Sequence, residues 1–274
     1  VRSSPTSLDD MVFVGSWDQC LYAIDAATGR EKWRFPTRKE IWCAPAASEG
    51  IVYFSSTDGN LYAANAHDGS MRWIFKIGMP MFSWVESAPV IAEQLLFIGS
   101  HDGKLFSIDA FSGQPRWSFS TKGPVDSSPH VADGTVFFGG QDGYLYALEA
   151  ESGKEKWRYD AESAIFSAPT LVRGKLFFTS SAGRLHAIDS VTGREYWTFS
   201  IPNQFLSSPA VSGNSVYFGS SDNHLYAIDS DSGEELWRFE TGNQIFSAPK
   251  VLHGVIYFGS NDFYLYALQE PGRH

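Results

Sequence analysis

One repeated residue constrains this chain more than any other feature. Trp33, Trp73, Trp117, Trp157, Trp197 and Trp237 follow one another at intervals of 40, 44, 40, 40 and 40 residues. Each closes a similar phrase, clearest in Ala23–Trp33 and Ala187–Trp197, both of the form Ala-Ile-Asp-x-x-Thr-Gly-Arg-Glu-x-Trp. Self-similarity at a period near 40 is the mark of a repeat architecture, in which one small unit cannot bury its own faces and must stack on its neighbours.

Each unit reads as four strands. A Ser/Ala-Pro lead-in (Pro5, Pro45, Pro89, Pro129, Pro169, Pro209 and Pro249) opens a short strand that ends at a tight turn. An apolar run such as Val216–Gly219 gives the second strand. The third alternates apolar and polar positions with a period of two, as a strand does. A Thr-Gly or Ser-Gly hairpin leads to the fourth, which carries the Trp; its glycine takes positive φ without a steric penalty. The expected fold is therefore all-β: a seven-bladed β-propeller of four-stranded antiparallel blades. Units begin near residues 3, 43, 87, 127, 167, 207 and 247, and together residues 1–274 are expected to form a single propeller domain. The last unit stops at the turn before its Trp strand, so the seventh blade is expected to lack its outer strand. Val1 and Arg2 lead straight into the first lead-in, and because a propeller usually closes by completing one blade from both chain ends, the absent strand is expected just before Val1 in a longer polypeptide.

The phrase Ala-x-Asp-x-x-Thr-Gly-x-x-x-Trp resembles the tryptophan-docking motif of the pyrroloquinoline-quinone-like, or quinoprotein-type, propellers. That group includes quinoprotein alcohol dehydrogenases, a bacterial outer-membrane assembly lipoprotein and the sensor domains of some receptor kinases. The resemblance covers the whole chain. Gly29, Gly69, Gly113, Gly153, Gly193 and Gly233 fill its glycine position. Asp25, Asn65, Asp109, Glu149, Asp189 and Asp229 fill its acidic or amide position. The resemblance implies that the six docking Trp residues pack between adjacent blades, and that the protein works outside the cytoplasm.

In a repeat protein, whatever recurs in every unit builds the unit, and function lies in the departures. Asp18, Asp58, Asp102, Asp142, Asp222 and Asp262 recur at one position, replaced by Ala182 in the remaining copy. Spread around a wide ring, they cannot converge on one metal; each is expected to accept backbone N–H groups in its own turn. Gly usually follows this Asp, but Gln19, Asn223 and Phe263 do so in three copies. Because Phe at positive φ is strained, the turn is expected not to require it there. The histidines (His67, His101, His130, His186, His224, His253 and His274) have no metal-ligand spacing, and most are expected on exposed loops or edges. Cys20 and Cys43 form no CxxC motif and read as two separate free thiols.

Three Trp residues fall outside the docking motif: Trp17, Trp42 and Trp84. Connections between second and third strands lie on the same face of a propeller as those between successive blades. Trp17 sits on the first kind, Trp42 and Trp84 on the second, all in consecutive blades, so they are expected to cluster. The one change of length is also here: from docking Trp to next Pro is 12 residues in five cases, but 16 from Trp73 to Pro89. That insertion includes Phe82 and Trp84. His101, Gln141, Ser181, Ser221 and Asn261 occupy the position of Trp17. The position of Trp42 falls on Phe166, on Phe205 or Leu206, and on Phe246. Aromatics on loops at a pocket mouth are a binding composition. The phenylalanines fit two roles equally, lining the central funnel or plugging it.

No catalytic constellation and no metal set stands out. The reading is a non-catalytic binding propeller, a protein-interaction scaffold or ligand-sensing domain, with Trp17, Trp42, Phe82, Trp84, His101, Gln141, Phe166, Phe205 and Phe246 as candidate contacts and no cofactor. The expected partner is a protein, a peptide or a small aromatic ligand. The alternative is a sensor that binds pyrroloquinoline quinone or a similar flat molecule. A quinone-dependent dehydrogenase is disfavoured: the resemblance implies eight blades, adjacent cysteines and a Glu/Asn/Asp calcium site, whereas Cys20 and Cys43 are 23 positions apart. The formal net charge of −10 opposes nucleic acid and anionic membrane surfaces, and no apolar run is long enough to span a membrane.

Overall fold

The computed structural model describes residues 3–78, 87–202 and 204–270. All regular structure is β. Seven antiparallel sheets follow one another along the chain, at Thr6–Pro36, Ala46–Lys76, Val90–Ser120, His130–Asp160, Thr170–Ser200, Ala210–Glu240 and Lys250–Gln269. The first six have four strands in simple sequential order, and the seventh has three among the described residues. This is the strand inventory of a seven-bladed β-propeller whose last blade lacks its outer strand. Among the described residues no helix is long and apolar enough to cross a membrane.

The chain divides into two compact units, Val1–Val136 with Leu148–Lys156, and Phe137–Ala147 with Trp157–His274. In the first, apolar cores lie between neighbouring sheets: Phe13, Leu21 and Ala23 of sheet one meet Val52, Phe54 and Ala64 of sheet two, all inaccessible to solvent. In the second, Phe177 and Leu185 of sheet five meet Val216 and Phe218 of sheet six in the same way. The second strands explain this arrangement. A run such as Ile51–Ser56 is buried along its whole length, because both of its faces are covered. The fourth strands, at the rim, alternate between exposed and half-buried positions.

The docking tryptophans pack as the resemblance implies. In the first unit the indole N–H of Trp33 donates to the Ala66 carbonyl (3.0 Å), that of Trp73 to Ala110 (3.0 Å) and that of Trp117 to Ala150 (2.9 Å). In the second unit Trp157 reaches Ser190 and Trp197 reaches Ser230. Each of these indoles lies against the turn glycine of the next sheet. A Cβ on Gly113 would stand 2.6 Å from the Trp73 ring, so nothing larger fits there. A bulge after Ala23, Ala63, Ala187 and Ala227 sets these small residues opposite Trp33, Trp73, Trp197 and Trp237.

The recurrent Asp serves its own turn. Asp18, Asp58, Asp142, Asp222 and Asp262 each accept the backbone N–H two residues on, at 3.1–3.3 Å. Each also accepts a tyrosine hydroxyl from the following strand, at 2.6–2.7 Å. The residue between does need positive φ, contrary to the sequence expectation: Gln19 has φ 71°, Asn223 74° and Phe263 73°. The bonds made by the Asp hold the backbone in that region whatever residue follows. Phe263 is fully exposed, so its ring gains no burial to offset the strain. Phe263→Gly is expected to raise stability by about 0.5–1 kcal/mol, the relief of left-handed strain less the entropy cost of glycine. Urea unfolding checks this.

Sheet five departs from the turn pattern, with Ala182 for the Asp and His186 for the Tyr. His186 is buried, against the expectation of exposed histidines, which holds for His67 and His253. It stacks on Phe178, with ring centroids 4.8 Å apart. Cys20 and Cys43 form no disulfide. Cys43 is buried where other units place a serine before the Pro. There Ser87, Ser167 and Ser207 each accept a backbone N–H from the end of the second strand, at 2.8–3.0 Å.

Candidate functional site

The candidate residues sit where the chain leaves one sheet for the next, and that connection is anchored. In the first unit, Ile41 N–H donates to the Ser16 carbonyl at 3.1 Å, and Thr57 N–H to the Glu40 carbonyl at 2.9 Å. The connection is thus tied to the second-to-third turn of the sheet it leaves and to that of the sheet it enters. Ile41 is fully buried and packs so closely on Gly15 that a Cβ there would lie 2.2 Å from its methyl group. With Ile41 held inward, the next residue, Trp42, meets the turn carrying Trp17. The two indoles stack with centroids 5.8 Å apart and planes 30° apart. Trp42 is half-buried and Trp17 is 53% exposed. Two of the three predicted indoles therefore touch. Phe82 and Trp84 lie outside the described residues.

Sheet three repeats this geometry with different chemistry. Val125 is the anchor on Gly99, and Asp126 follows it in the place of Trp42. Asp126 is buried, and His101, in the place of Trp17, sets its Nδ1 3.1 Å from the carboxylate. Sequence reasoning singled out His101 and missed Asp126; counting nine residues on from Trp117, as from Trp33 to Trp42, would have found it. In sheet two the matching Thr57 hydroxyl donates to the Glu40 carboxylate at 2.9 Å. Glu40 is held below the usual carboxylate range by its own backbone N–H and by that hydroxyl.

The second unit carries phenylalanines on the same kind of connection. Ile165 and Ile245 are anchored on Gly139 and Gly219, and the residues after them, Phe166 and Phe246, are 43% and 51% exposed. Sheet five has Thr179 in place of the glycine, and the side chain there excludes the anchor. The connection shifts: Leu206 pairs with Ser220 and packs inward, while Phe205 is 59% exposed. Phe205 N–H donates to Ser221 Oγ, which in turn donates to Gln204. Gln141 is half-buried, and Ser181 and Asn261 are tied through their N–H groups to the connections, at 2.8 and 2.9 Å.

These side chains offer apolar contact area and hydrogen bonds. Among the described residues no three His, Cys, Asp or Glu groups come together as metal ligands. Cys20 opens a third strand and Cys43 lies in a connection, so the paired thiols of a quinone-calcium site do not assemble here. The residues do not fit that group.

A family model described as beta-alanine-activating enzyme, beta-propeller, matches residues 1–212. The chain belongs to that β-propeller family. A second model, of the outer membrane protein assembly factor BamB, matches residues 161–270 of this propeller. No curated protein sequence is a significant match. Among solved structures, BamB from Moraxella catarrhalis aligns with a TM-score of 0.89 at 18% identity, over 98% of this chain and 85% of its own. The computationally designed Ika8 protein aligns at 0.84 and 17% identity, over 97% and 82%. A europium-containing methanol dehydrogenase aligns at 0.79 and 12%, over 97% and 75%. At such identities the likeness shows the β-propeller fold alone. An assembly factor, a designed protein and an enzyme share it, so function must come from the site.

Proposed function

We propose that this propeller is a non-catalytic protein-interaction scaffold that binds a protein or peptide partner through the connections between its sheets. One observation carries the reading: the chain exposes Trp17 on a second-to-third turn, and Phe166, Phe205 and Phe246 on connections between sheets, to between 43% and 59%. Isolated exposed apolar residues are ordinary, but large rings repeated on the turns and connections of several sheets are what interfaces use as anchors. Rigid loops lower the ordering cost on binding. The match of residues 161–270 to an assembly-factor family supports the same reading, and with it a place outside the cytoplasm. A flat quinone is the weaker alternative: Trp17 and Trp42 stack on each other, so one face of each indole is already covered.

Peptide-display selection against the folded propeller tests this. Selected peptides are expected to lose about 10–30-fold in affinity on Trp17→Ala or Phe246→Ala, the scale of an interfacial hot spot. The melting temperature should hold, since both rings are half exposed. Peptides indifferent to all four aromatic sites would overturn the reading. Quenching of Trp fluorescence by pyrroloquinoline quinone at micromolar concentration, lost in Trp17→Ala, would favour the alternative.

A further inference from the structure

A cavity of about 330 Å³ opens in the first unit, between sheets two and three, at the ends that carry their first-to-second turns. It is independent of the function proposed above. Its apolar lining is Ile51, Ile91, Tyr53 and Phe111, and Glu49 and Glu93 line it from the first-to-second turns of the two sheets. Ile51 and Tyr53 are buried, whereas the Phe111 ring is 74% exposed and already carries the Arg72 guanidinium 5.6 Å from its centroid. Asp109 also borders the cavity, but Arg116 and Ser112 engage its carboxylate, at 2.6 and 2.7 Å. Glu49 and Glu93 are exposed, and neither forms an ion pair among the described residues.

The corresponding place in the second unit shows what such a cleft accommodates. Between sheets five and six, Lys175 stands where sheet two has Ile51. Its ammonium bonds the Ser230 carbonyl at 3.1 Å and the Asp231 carboxylate at 2.5 Å. Ser230 and Asp231 correspond to Ala110 and Phe111. In sheets two and three the Tyr53 hydroxyl takes over the carbonyl of Ala110, at 3.1 Å. The short Ile51 side chain then leaves the remaining volume open under two carboxylates.

We infer that this cavity takes a primary alkylammonium chain, with its methylenes against Ile51, Ile91 and Phe111 and its charge between Glu49 and Glu93. Apolar lining alone would accept any short chain. The carboxylates make the cation the preferred end group.

Calorimetric titration of the whole chain with n-pentylamine at pH 7 and low salt, beside n-pentanol and pentanoate, tests it. Pentylamine is expected to bind at least about fivefold more tightly than pentanol, with pentanoate weaker still. That preference should vanish in the Glu49→Gln/Glu93→Gln variant. Ile51→Lys, which supplies an internal ammonium as Lys175 does, should abolish amine binding. Because Ile51 is a core residue, the glutamine variant at exposed turn positions decides the matter if Ile51→Lys does not fold. Nα-acetyl-lysine methylamide separates the sources of the amine. Binding equal to that of pentylamine supports the site and assigns it to a protein lysine; binding of pentylamine alone supports it and assigns it to a free amine. No amine binding, equal affinity for pentylamine and pentanol, or amine binding that survives Glu49→Gln/Glu93→Gln overturns the inference.

Discussion

Trp73→Ala is expected to destabilise the protein by about 3–5 kcal/mol, the cost of truncating a large packed aromatic. Three contacts are lost together. The indole N–H leaves the Ala110 carbonyl, the ring leaves Tyr53 with a centroid separation of 5.7 Å, and the surface of Gly113 loses its cover. The converse change should also be costly. Gly113→Ala places a methyl 2.6 Å from the same ring at φ 72°, so clash and strain add. Trp17→Ala, on a ring half in solvent, should cost well under half as much. Equilibrium urea unfolding of the three variants checks the ordering. Trp17→Ala proving the most harmful would reverse the division between docking and exposed tryptophans.

Stability is also expected to fall as pH drops from 6.5 towards 4, and His186 is the main cause. Burial pushes its imidazole down to about 4, with Glu195 opposing and Arg184 assisting. In the unfolded chain the ring takes up a proton near pH 6.5, so the unfolded state binds more protons throughout that window. The full stability is present above pH 6.5. About 3 kcal/mol is lost by pH 4, below which both states are protonated and this contribution levels off. His130, also lowered by burial, acts in the same direction. His186→Phe should flatten the slope. Sheet three already has Phe106 at this position, and a phenyl ring keeps the stack on Phe178. The variant leaves Ser180 Oγ, 3.0 Å from the imidazole Nε2, without that partner. It is therefore expected to start about 1 kcal/mol lower at neutral pH and to be nearly level from 6.5 to 4. An unchanged slope would place the acid sensitivity elsewhere.

The candidate site was legible in part. Trp17 and Trp42 could be paired from their places in the repeat, and they stack. His101 could be chosen as a departure, but its buried partner Asp126 was passed over because a lone acid in a connection carries no signal of its own. The choice between Phe205 and Leu206 stayed open in the sequence; Thr179 decides it, by excluding the anchor that a glycine admits elsewhere. The turn after the recurrent Asp was misread. Phe263 looked incompatible with positive φ, yet the Asp262 bonds to the Tyr264 N–H and the Tyr266 hydroxyl outweigh a strain of about 1–2 kcal/mol.

By itself the sequence determined the number of sheets, their strand order and the six docking tryptophans, because stacked repeats reuse the same local contacts and local contacts leave a period. Tertiary structure alone decided which side chains face solvent, that a histidine is buried in sheet five, and where a cavity opens between sheets two and three. Those outcomes depend on the volume a neighbouring sheet leaves free, and a side chain at Thr179 where glycine stands elsewhere, or a missing amine at Ile51, changes it without disturbing the repeat.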